Sequence, residues 1–408
     1  VHARAQTPPD CRLLQPPHFH STTHNLASPR TQAMTSMANA APHKHTPRPH
    51  ARIASRRRSA ARTVAAAAPP APSSNKPSSS STASFAAASN RVAPSTKAAK
   101  SVGDIRKLKL ITAVKTPYLE DGRFDFEAYD RIVDDQIAHG VEGLIVGGTT
   151  GEGHLMSWDE HIMLIAHTVN QFGDRLTVIG NTGSNSTREA LHATEQGFNV
   201  GMHASLQINP YYGKTSNKGM AAHLKAGLAE GPGIVYNVPA RTSQDIPDEV
   251  IEELSQHENF LGVKECTGND RIANYTKKGI VCWSGNDDEA HDARHIAGAA
   301  GVISVTSNVI PGLFSSLMDA RDDELNEAVQ PLVSWMFREP NPTGLNTMLS
   351  MMGACKPVFR MPYMAYDKEW REEGVQLLEA LGGDAVAPSV RSLSSLDDDD
   401  FTYVYSSR

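Results

Sequence analysis

Short apolar runs alternate with longer amphipathic stretches from Leu108 to about residue 310. The short runs are rich in Val, Ile and Leu, as is typical of buried strands. Between them, apolar residues recur at helical spacing, for example from Phe126 to Ile137. The pattern predicts eight strands: Lys109–Val114, Gly143–Val146, Thr177–Gly180, His203–Ile208, Gly233–Val238, Leu261–Lys264, Ile280–Trp283 and Val302–Val305.

Eight consecutive strand–helix units predict an α/β fold, a (β/α)8 TIM barrel over residues 102–320. The length of this segment is consistent with such a barrel, which typically takes about 250 residues. A doubly wound open sheet is the alternative, but it has fewer strands and a glycine-rich first turn. The first strand here ends in Lys115-Thr116-Pro117 instead. Helix starts agree with the barrel pattern, since Ser157 with Glu160 predicts a capping box and Asp125 predicts an N-cap.

Beyond Pro311 the pattern becomes helical throughout, which predicts a C-terminal helical annex over residues 321–383. Residues 384–408 contain the acidic run Asp397–Asp400 and are predicted to form a mobile acidic tail. The helical stretches of the annex are Asp323–Phe337, Leu345–Met352 and Lys368–Leu381.

The first hundred residues differ from the rest in charge, with one acid, Asp10, against fourteen Lys and Arg. Of the 39 basic and 45 acidic residues in the chain, 25 and 44 therefore follow residue 100. A segment rich in Arg, Ser and Ala with almost no acid is typical of an organelle transit peptide. Residues 1–101 are predicted to be such a disordered leader, with a disordered basic tail as the alternative. Because the chain begins at Val1, we expect Met34 or Met37 to be the natural start.

Composition excludes several classes of protein. No apolar run approaches the roughly 18 residues of a membrane span, so no membrane partner is expected. The acidic body is a poor match for nucleic acid. His291 and His295 are four residues apart, but without a third ligand no metal site is expected. The spacing of the four cysteines excludes a zinc ribbon or a disulfide scaffold: Cys11, Cys266, Cys282 and Cys355.

Barrel active sites lie at the carboxyl ends of the strands. The turn Gly147-Gly148-Thr149-Thr150-Gly151 follows the second strand there. Its backbone N–H groups and two hydroxyls suit an anion such as a carboxylate. A tight turn without a ligand explains the same residues equally well.

Lys264 ends an apolar strand, where partial loss of water lowers the pKa of an amine. A neutral amine forms Schiff bases with carbonyl substrates. An ordinary strand-end lysine is the alternative, and Lys115 is a rival nucleophile. Tyr236 suits acid–base catalysis and Arg241 suits a substrate carboxylate, although a core tyrosine and an exposed arginine explain each residue alone. Cys266 lacks a resolving partner for redox chemistry.

Three motifs together resemble the dihydrodipicolinate synthase family, most of all its chloroplast form in plants and algae. They are Gly-Gly-Thr-Thr-Gly-Glu at 147–152, Tyr-Asn-Val-Pro-x-Arg-Thr at 236–242 and Val-Lys-Glu-x-Thr-Gly at 263–268. The resemblance implies a lyase of the class I aldolase type, located in the chloroplast and using no cofactor. It implies condensation of pyruvate with L-aspartate 4-semialdehyde to 4-hydroxy-tetrahydrodipicolinate, the first committed step of lysine (diaminopimelate) biosynthesis.

The resemblance also implies roles for individual residues and selects Lys264 over Lys115 as the imine-forming amine. The implied catalytic residues are Lys264, Tyr236, Thr149 and Tyr212, the last reaching in from an adjacent subunit. The implied substrate-binding residues are Thr150, Arg241, Gly285 and Ile303. A homotetramer inhibited by lysine is implied as well, with the inhibitor held at Trp158, His161, Asn185, Glu189 and Tyr211.

Two other functions are also compatible with the sequence. N-acetylneuraminate lyase and the keto-deoxy-sugar aldolases share the barrel, the lysine and the tyrosine. They tend to have Ser-Thr in place of Thr149-Thr150 and lack an arginine at position 241. A non-catalytic lysine-binding homologue is the second alternative, disfavoured because Lys264, Tyr236 and Arg241 are all present.

Overall fold

A computed structural model describes residues 100–382, 390 and 392–405. Nearly all of the predicted leader, residues 1–101, lies outside the described residues. Eight parallel strands close into a barrel, because β1 pairs with both β2 and β8. The predicted (β/α)8 fold is thus confirmed, with the strands at β1 Leu110–Ala113, β2 Gly143–Val146, β3 Thr177–Asn181, β4 Ala204–Ile208, β5 Gly233–Asn237, β6 Phe260–Glu265, β7 Cys282–Ser284 and β8 Gly301–Ser304.

Helices follow the strands around the outside of the barrel. None of the described helices is both long and apolar enough to cross a membrane. Their bounds are α1 Val102–Ile105, α2 Phe126–Ala138, α3 Trp158–Phe172, α4 Thr187–Asn199, α5 Asn217–Glu230, α6 Pro239–Thr242, α7 Asp248–Leu254, α8 Asn269–Lys277, α9 Ala290–His295, α10 Pro311–Asp319, α11 Asp323–Met336, α12 Thr343–Met351 and α13 Lys368–Leu381.

The helix starts form as the sequence predicts. Ser157 Oγ accepts the backbone N–H of Glu160, whose carboxylate accepts the N–H of Ser157, completing a capping box at α3. At α2, Asp125 accepts the N–H of Ala128 at 3.0 Å. These caps satisfy N–H groups that a helix start otherwise leaves without partners.

Two apolar layers surround the sheet. Inside the barrel, side chains such as Ile145 and Leu206 fill the lumen, with Tyr236 toward the carboxyl ends of the strands. Outside, the other face of the strands packs against the helices. Gly262 has a φ of +154°, and a Cβ there would meet the backbone oxygen of Val281, so β6 requires glycine at this position.

The annex packs on the barrel through α12, every residue of which is buried. The helix accordingly carries no charged residue, and its polar side chains are themselves buried: Thr343, Asn346, Thr347 and Ser350. Arg360, 1% exposed, follows in β9 (Val358–Arg360) and donates to Glu160 at the start of α3. The annex is thereby connected to the helix that carries Trp158 and His161.

The structure differs from the predicted mobile tail at residues 392–405. Strand β10 (Thr402–Val404) pairs in parallel with β9, and Phe401 packs against Phe359 with ring centroids 5.8 Å apart. Asp398 within the acidic run accepts from the buried Arg371 at 2.6 Å. The acidic run by itself does not predict this docking, because the groups that anchor it lie in the annex.

Candidate active site

A cavity of about 760 Å³ opens at the carboxyl ends of the barrel strands. Six of the eight predicted catalytic and substrate-binding residues line it, and so do four of the five predicted lysine-binding residues. The first set is Thr149, Thr150, Tyr236, Arg241, Lys264 and Gly285, and the second is Trp158, His161, Glu189 and Tyr211. The fold thus brings together residues that are up to 136 positions apart in the chain.

Lys264 lies on β6 directly beside Tyr236 on β5, since the two residues are register partners. Its side chain is 7% exposed, and its Nζ lies 4.5 Å from the centroid of the Tyr236 ring. Within the described part of the chain it forms no ion pair or hydrogen bond. Burial lowers the pKa of Lys264, and although Cys266 and Asp287 raise it, the net direction is downward. Burial therefore increases the fraction of this amine that is neutral and nucleophilic.

Gly285, after β7, provides the space that this lysine occupies. A Cβ at Gly285 would lie 2.9 Å from the Cε of Lys264 and would collide with the Sγ of Cys266. Further along the same loop, buried Asp287 accepts the N–H of Val305 at 3.1 Å and that of Thr306 at 2.6 Å. The loop is therefore fixed to the end of β8, with Gly285 held beside the Lys264 side chain.

Tyr236 shares its surroundings with the Cys266 thiol. Burial raises the pKa of Tyr236 well above its usual value, and the neighbouring Cys266 acts in the same direction. Burial likewise raises the pKa of Cys266 to about 11, so this cysteine is a thiol at neutral pH. The phenol accordingly keeps its proton and can donate it.

Two side chains suited to binding carboxylates line the cavity, Thr150 and Arg241. Thr150 is 3% exposed in the turn after β2, and its Oγ accepts from the side-chain amide of Asn341 at 3.0 Å. Arg241 in α6 is exposed at the rim and donates from Nη2 to the backbone oxygen of Asn341 at 3.1 Å. Thr149, half-buried, lies next to Thr150 on the cavity wall.

Lys115, the rival nucleophile, is buried at 2% exposure but does not line the cavity. Its Nζ lies 2.5 Å from Oε1 of Glu152, which is itself fully buried and has a φ of +60°. The same oxygen accepts from Asn346 of α12 at 2.6 Å. The ammonium is thus bound in an ion pair that supports the turn after β2.

Four of the five predicted lysine-binding residues line the same cavity. The rings of Trp158 and His161 stack with centroids 5.4 Å apart. Burial lowers the pKa of His161 to about 4, so the imidazole is neutral at physiological pH. Glu189 accepts from Ser184 at 2.9 Å, which fixes its carboxylate at the cavity.

Three predicted site residues do not line the cavity. Tyr212 is 91% exposed, and Ile303 is fully buried within the barrel interior. Asn185 instead holds the loop after β4, because its Oδ1 accepts the N–H groups of Tyr211 at 2.7 Å and Tyr212 at 2.8 Å.

The annex contributes wall residues that the sequence analysis did not identify: Phe337, Asn341 and Tyr363. Tyr363 bonds to His154 at 2.8 Å across the cavity rim. The Pro-Asn-Pro sequence at 340–342 marks only a helix interruption, and nothing in its pattern indicates that it folds back over the barrel mouth.

No cluster of three or more metal-ligating side chains occurs among the residues that the structure describes. The ring centroids of His291 and His295 lie 4.9 Å apart. His291 nevertheless accepts the N–H of Asp322, and His295 contacts the oxygen of Leu317, so both rings have structural partners.

Barrel and cavity together define the class of protein: a (β/α)8 barrel whose strand ends surround a buried amine. Residues 106–381 match the model of the dihydrodipicolinate synthetase family. The chain therefore belongs to this family, whose enzymes are lyases.

A relative in Triticum aestivum, 4-hydroxy-tetrahydrodipicolinate synthase 1, chloroplastic, is 60% identical over 309 residues, which cover 76% of this chain and 79% of that protein. Two solved structures share the fold. The dihydrodipicolinate synthase of Acinetobacter baumannii, complexed with pyruvate, has a TM-score of 0.65 and 31% identity, covering 67% of this chain and 99% of that one. The enzyme of Cyanidioschyzon merolae, with lysine bound, has a TM-score of 0.64 and 26% identity, covering 68% and 99%.

Proposed function

We propose that the chain is a plastid 4-hydroxy-tetrahydrodipicolinate synthase that condenses pyruvate with L-aspartate 4-semialdehyde for lysine biosynthesis. Family membership supports the reaction, and the wheat relative, named chloroplastic, supports the compartment. The observation that carries the chemistry is Lys264, a buried amine with a lowered pKa that faces the cavity beside Tyr236.

The Lys264 amine attacks C2 of pyruvate, and loss of water leaves an imine. Removal of a methyl proton gives an enamine, whose carbon forms a new C–C bond to the aldehyde carbon while the aldehyde oxygen takes up a proton. The substrate's own amine then attacks the imine carbon and displaces Lys264, which closes the ring. Each step needs a proton donor or acceptor beside the imine carbon, the position that Tyr236 occupies.

Binding of the substrates follows from the two carboxylate-suited groups. Thr150 and its neighbouring backbone hold the carboxylate of pyruvate, close to the amine. Arg241 at the rim binds the carboxylate of the semialdehyde with its planar guanidinium. Gly285 leaves space for the Lys264 side chain, because a Cβ at this position would lie against it. Ile303 packs in the barrel interior below the site.

The proton relay comprises Tyr236, Thr149 and Tyr212 in this proposal. Tyr212 is 91% exposed and does not line the cavity that contains Tyr236. An exposed tyrosine beside half-exposed Tyr211 is suited to a contact between copies of the chain. A homotetramer in which one subunit inserts Tyr212 into its neighbour's site would complete the relay.

Lysine is the proposed inhibitor, held at Trp158, His161, Asn185, Glu189 and Tyr211. The Glu189 carboxylate suits a lysine amine, and the stacked Trp158 and His161 rings give an apolar wall for its methylene chain. This site opens into the same cavity as Lys264, which gives a direct route for inhibition.

Borohydride reduction in the presence of pyruvate tests the central step. The expected result is a covalent pyruvate adduct that peptide mass spectrometry maps to Lys264. Absence of an adduct would favour the non-catalytic lysine-binding homologue. An adduct on Lys115 would overturn the assignment of the nucleophile.

A coupled assay separates the lyases that share the barrel. We expect turnover of pyruvate with L-aspartate 4-semialdehyde and none of N-acetylneuraminate or keto-deoxy sugars. Arg241 is the feature that favours the first reaction, because its guanidinium can bind the carboxylate of the short semialdehyde in a bidentate manner. The opposite substrate preference would contradict the proposal.

A further inference from the structure

Asn341 lies between α11 and α12 in the annex, and it reaches the cavity that the barrel strands form. It is 7% exposed and lines the wall with Thr150 and Arg241. None of the three motifs that carry the family resemblance includes it. Its contacts nevertheless join the two groups assigned above to substrate carboxylates.

The side-chain contact determines whether the Thr150 hydroxyl donates or accepts a hydrogen bond. Asn341 Nδ2 donates to Thr150 Oγ at 3.0 Å. A hydroxyl has one proton and two lone pairs, so an amide donor on the oxygen leaves the proton for another acceptor. Among the described residues, none accepts a hydrogen bond from Thr150. The proton is therefore available to an acceptor bound in the cavity.

The backbone contact restrains Arg241 separately. Arg241 Nη2 donates to the Asn341 carbonyl oxygen at 3.1 Å. Because Arg241 is an exposed side chain on the four-residue helix α6, this bond limits the directions that the guanidinium takes. A change of the Asn341 side chain leaves the backbone carbonyl in place, so the two contacts can be separated by mutation.

We propose that Asn341 is a positioning residue that keeps the Thr150 hydroxyl a donor toward the carboxylate of the ketoacid. The inference rests on the proposed role of Thr150 in binding pyruvate. An amide at position 341 donates to Thr150, whereas a carboxylate of the same shape only accepts. Asparagine therefore presents a donor to the ketoacid, and aspartate would withdraw that donor and add a like charge.

The isosteric variant Asn341→Asp tests whether the hydrogen-bond donor role of the Thr150 hydroxyl matters. We expect the KM for pyruvate to rise about 10- to 100-fold, the range for losing a hydrogen bond to a charged group. The KM for L-aspartate 4-semialdehyde is expected to change less than about 3-fold, because the carbonyl that holds Arg241 stays. Asn341→Ala, which leaves the hydroxyl free to rotate, is expected to raise the pyruvate KM only about 3-fold.

A double-mutant comparison shows whether the effect passes through the hydroxyl. In a Thr150→Val background the hydroxyl donor is already absent, so Asn341→Asp is expected to raise the pyruvate KM clearly less than in the wild-type background, because only repulsion by the added charge remains. Asn346→Ala is the matched control: Asn346 is also buried, contacts the same turn through Glu152 and does not line the cavity. It is expected to lower the melting temperature without a selective change in either KM.

Equal increases in both KM values, or the same pyruvate effect of Asn341→Asp with and without Thr150, would overturn the inference. Failure of the wild-type protein to form a pyruvate adduct would instead overturn the proposed function. If Asn341→Asp does not fold, Asn341→Ala and Asn341→Ser in both backgrounds give the same comparison.

Discussion

Two buried lysines at the ends of barrel strands have opposite surroundings. Lys115 after β1 is bound to Glu152 at 2.5 Å, and Asn346 completes that buried cluster. Lys264 on β6 is as well buried, but within the described residues it has only the ring of Tyr236 and no carboxylate bound to it. The comparison teaches that burial alone does not activate an amine, because a paired lysine stabilises structure whereas an unpaired one is available for chemistry.

The largest expected effect is loss of activity when Lys264 is replaced. Lys264→Arg keeps the positive charge but removes the amine nucleophile, so turnover is expected to fall by about 10³-fold or more. The coupled assay measures the loss, and circular dichroism controls for folding. Full turnover by this variant would contradict the whole scheme.

Lys115, the paired lysine, is expected to contribute to stability rather than to catalysis. Lys115→Met leaves the Glu152 carboxylate buried without its counter-charge, with only the hydrogen bond from Asn346, at a cost of about 3–5 kcal/mol in the free energy of unfolding. Chemical denaturation measures that loss. Borohydride trapping on the folded fraction should still label Lys264.

The double variant Lys115→Met with Glu152→Leu sharpens this prediction. Removing both charges is expected to restore most of the stability, because the cost arises from an unpaired buried charge. A double variant as unstable as Lys115→Met would indicate that packing rather than charge holds the cluster.

Lys264→Met is expected to stabilise the protein by about 1 kcal/mol while abolishing turnover, since it removes an unpaired buried amine. The pKa of Lys264 lies below the unfolded value of 10.5. At pH values between the lowered pKa of the folded state and 10.5, the unfolded chain therefore binds more protons than the folded chain. In that window the stability of the wild-type protein rises with pH. The advantage of the variant should shrink as the pH approaches 10.5. Denaturation curves at neutral and alkaline pH measure the trend, and a constant advantage would contradict it.

The smallest effect is expected at the annex, where an ion pair has one exposed member. Asp398, whose side chain is 80% exposed, accepts from the buried Arg371. Asp398→Asn is expected to cost less than about 1 kcal/mol, because water screens the exposed partner. Thermal melts measure the change, with Arg371→Ala as the contrasting variant because it removes a buried cation that also donates to the Ser395 oxygen. A large loss from Asp398→Asn would show that the acidic run is a structural element in its own right.

Sequence periodicity located all eight barrel strands to within a few residues, because strands buried on both faces read as apolar runs. The Ser157 capping box and the Asp125 cap were equally local, since cap and partner lie within one turn of helix. Lys264 stood out for a related reason: a charge at the end of an apolar run is visible without knowing its neighbours.

The partners of these residues depended on the tertiary structure. Lys115 and Lys264 are equivalent in periodicity, and only the fold places Glu152 on one and Tyr236 beside the other. Residue patterns alone do not distinguish the two lysines, whereas the family resemblance favours Lys264 as the nucleophile. The annex was predicted only as helices, because its approach to the cavity depends on contacts 191 positions apart in the chain, such as the one between Asn341 and Thr150.

By itself, the sequence determined the barrel, the strand ends that carry reactive groups and the family to which the chain belongs. These follow from local patterns of burial, namely continuous apolar runs in strands buried on both faces and an apolar repeat of about 3.6 residues in the helices. Only the tertiary structure decided which lysine is paired, how the annex closes one wall of the cavity and where the acidic run docks. Those outcomes are set by side chains distant in sequence, whose charges and hydrogen bonds act only over a few ångströms.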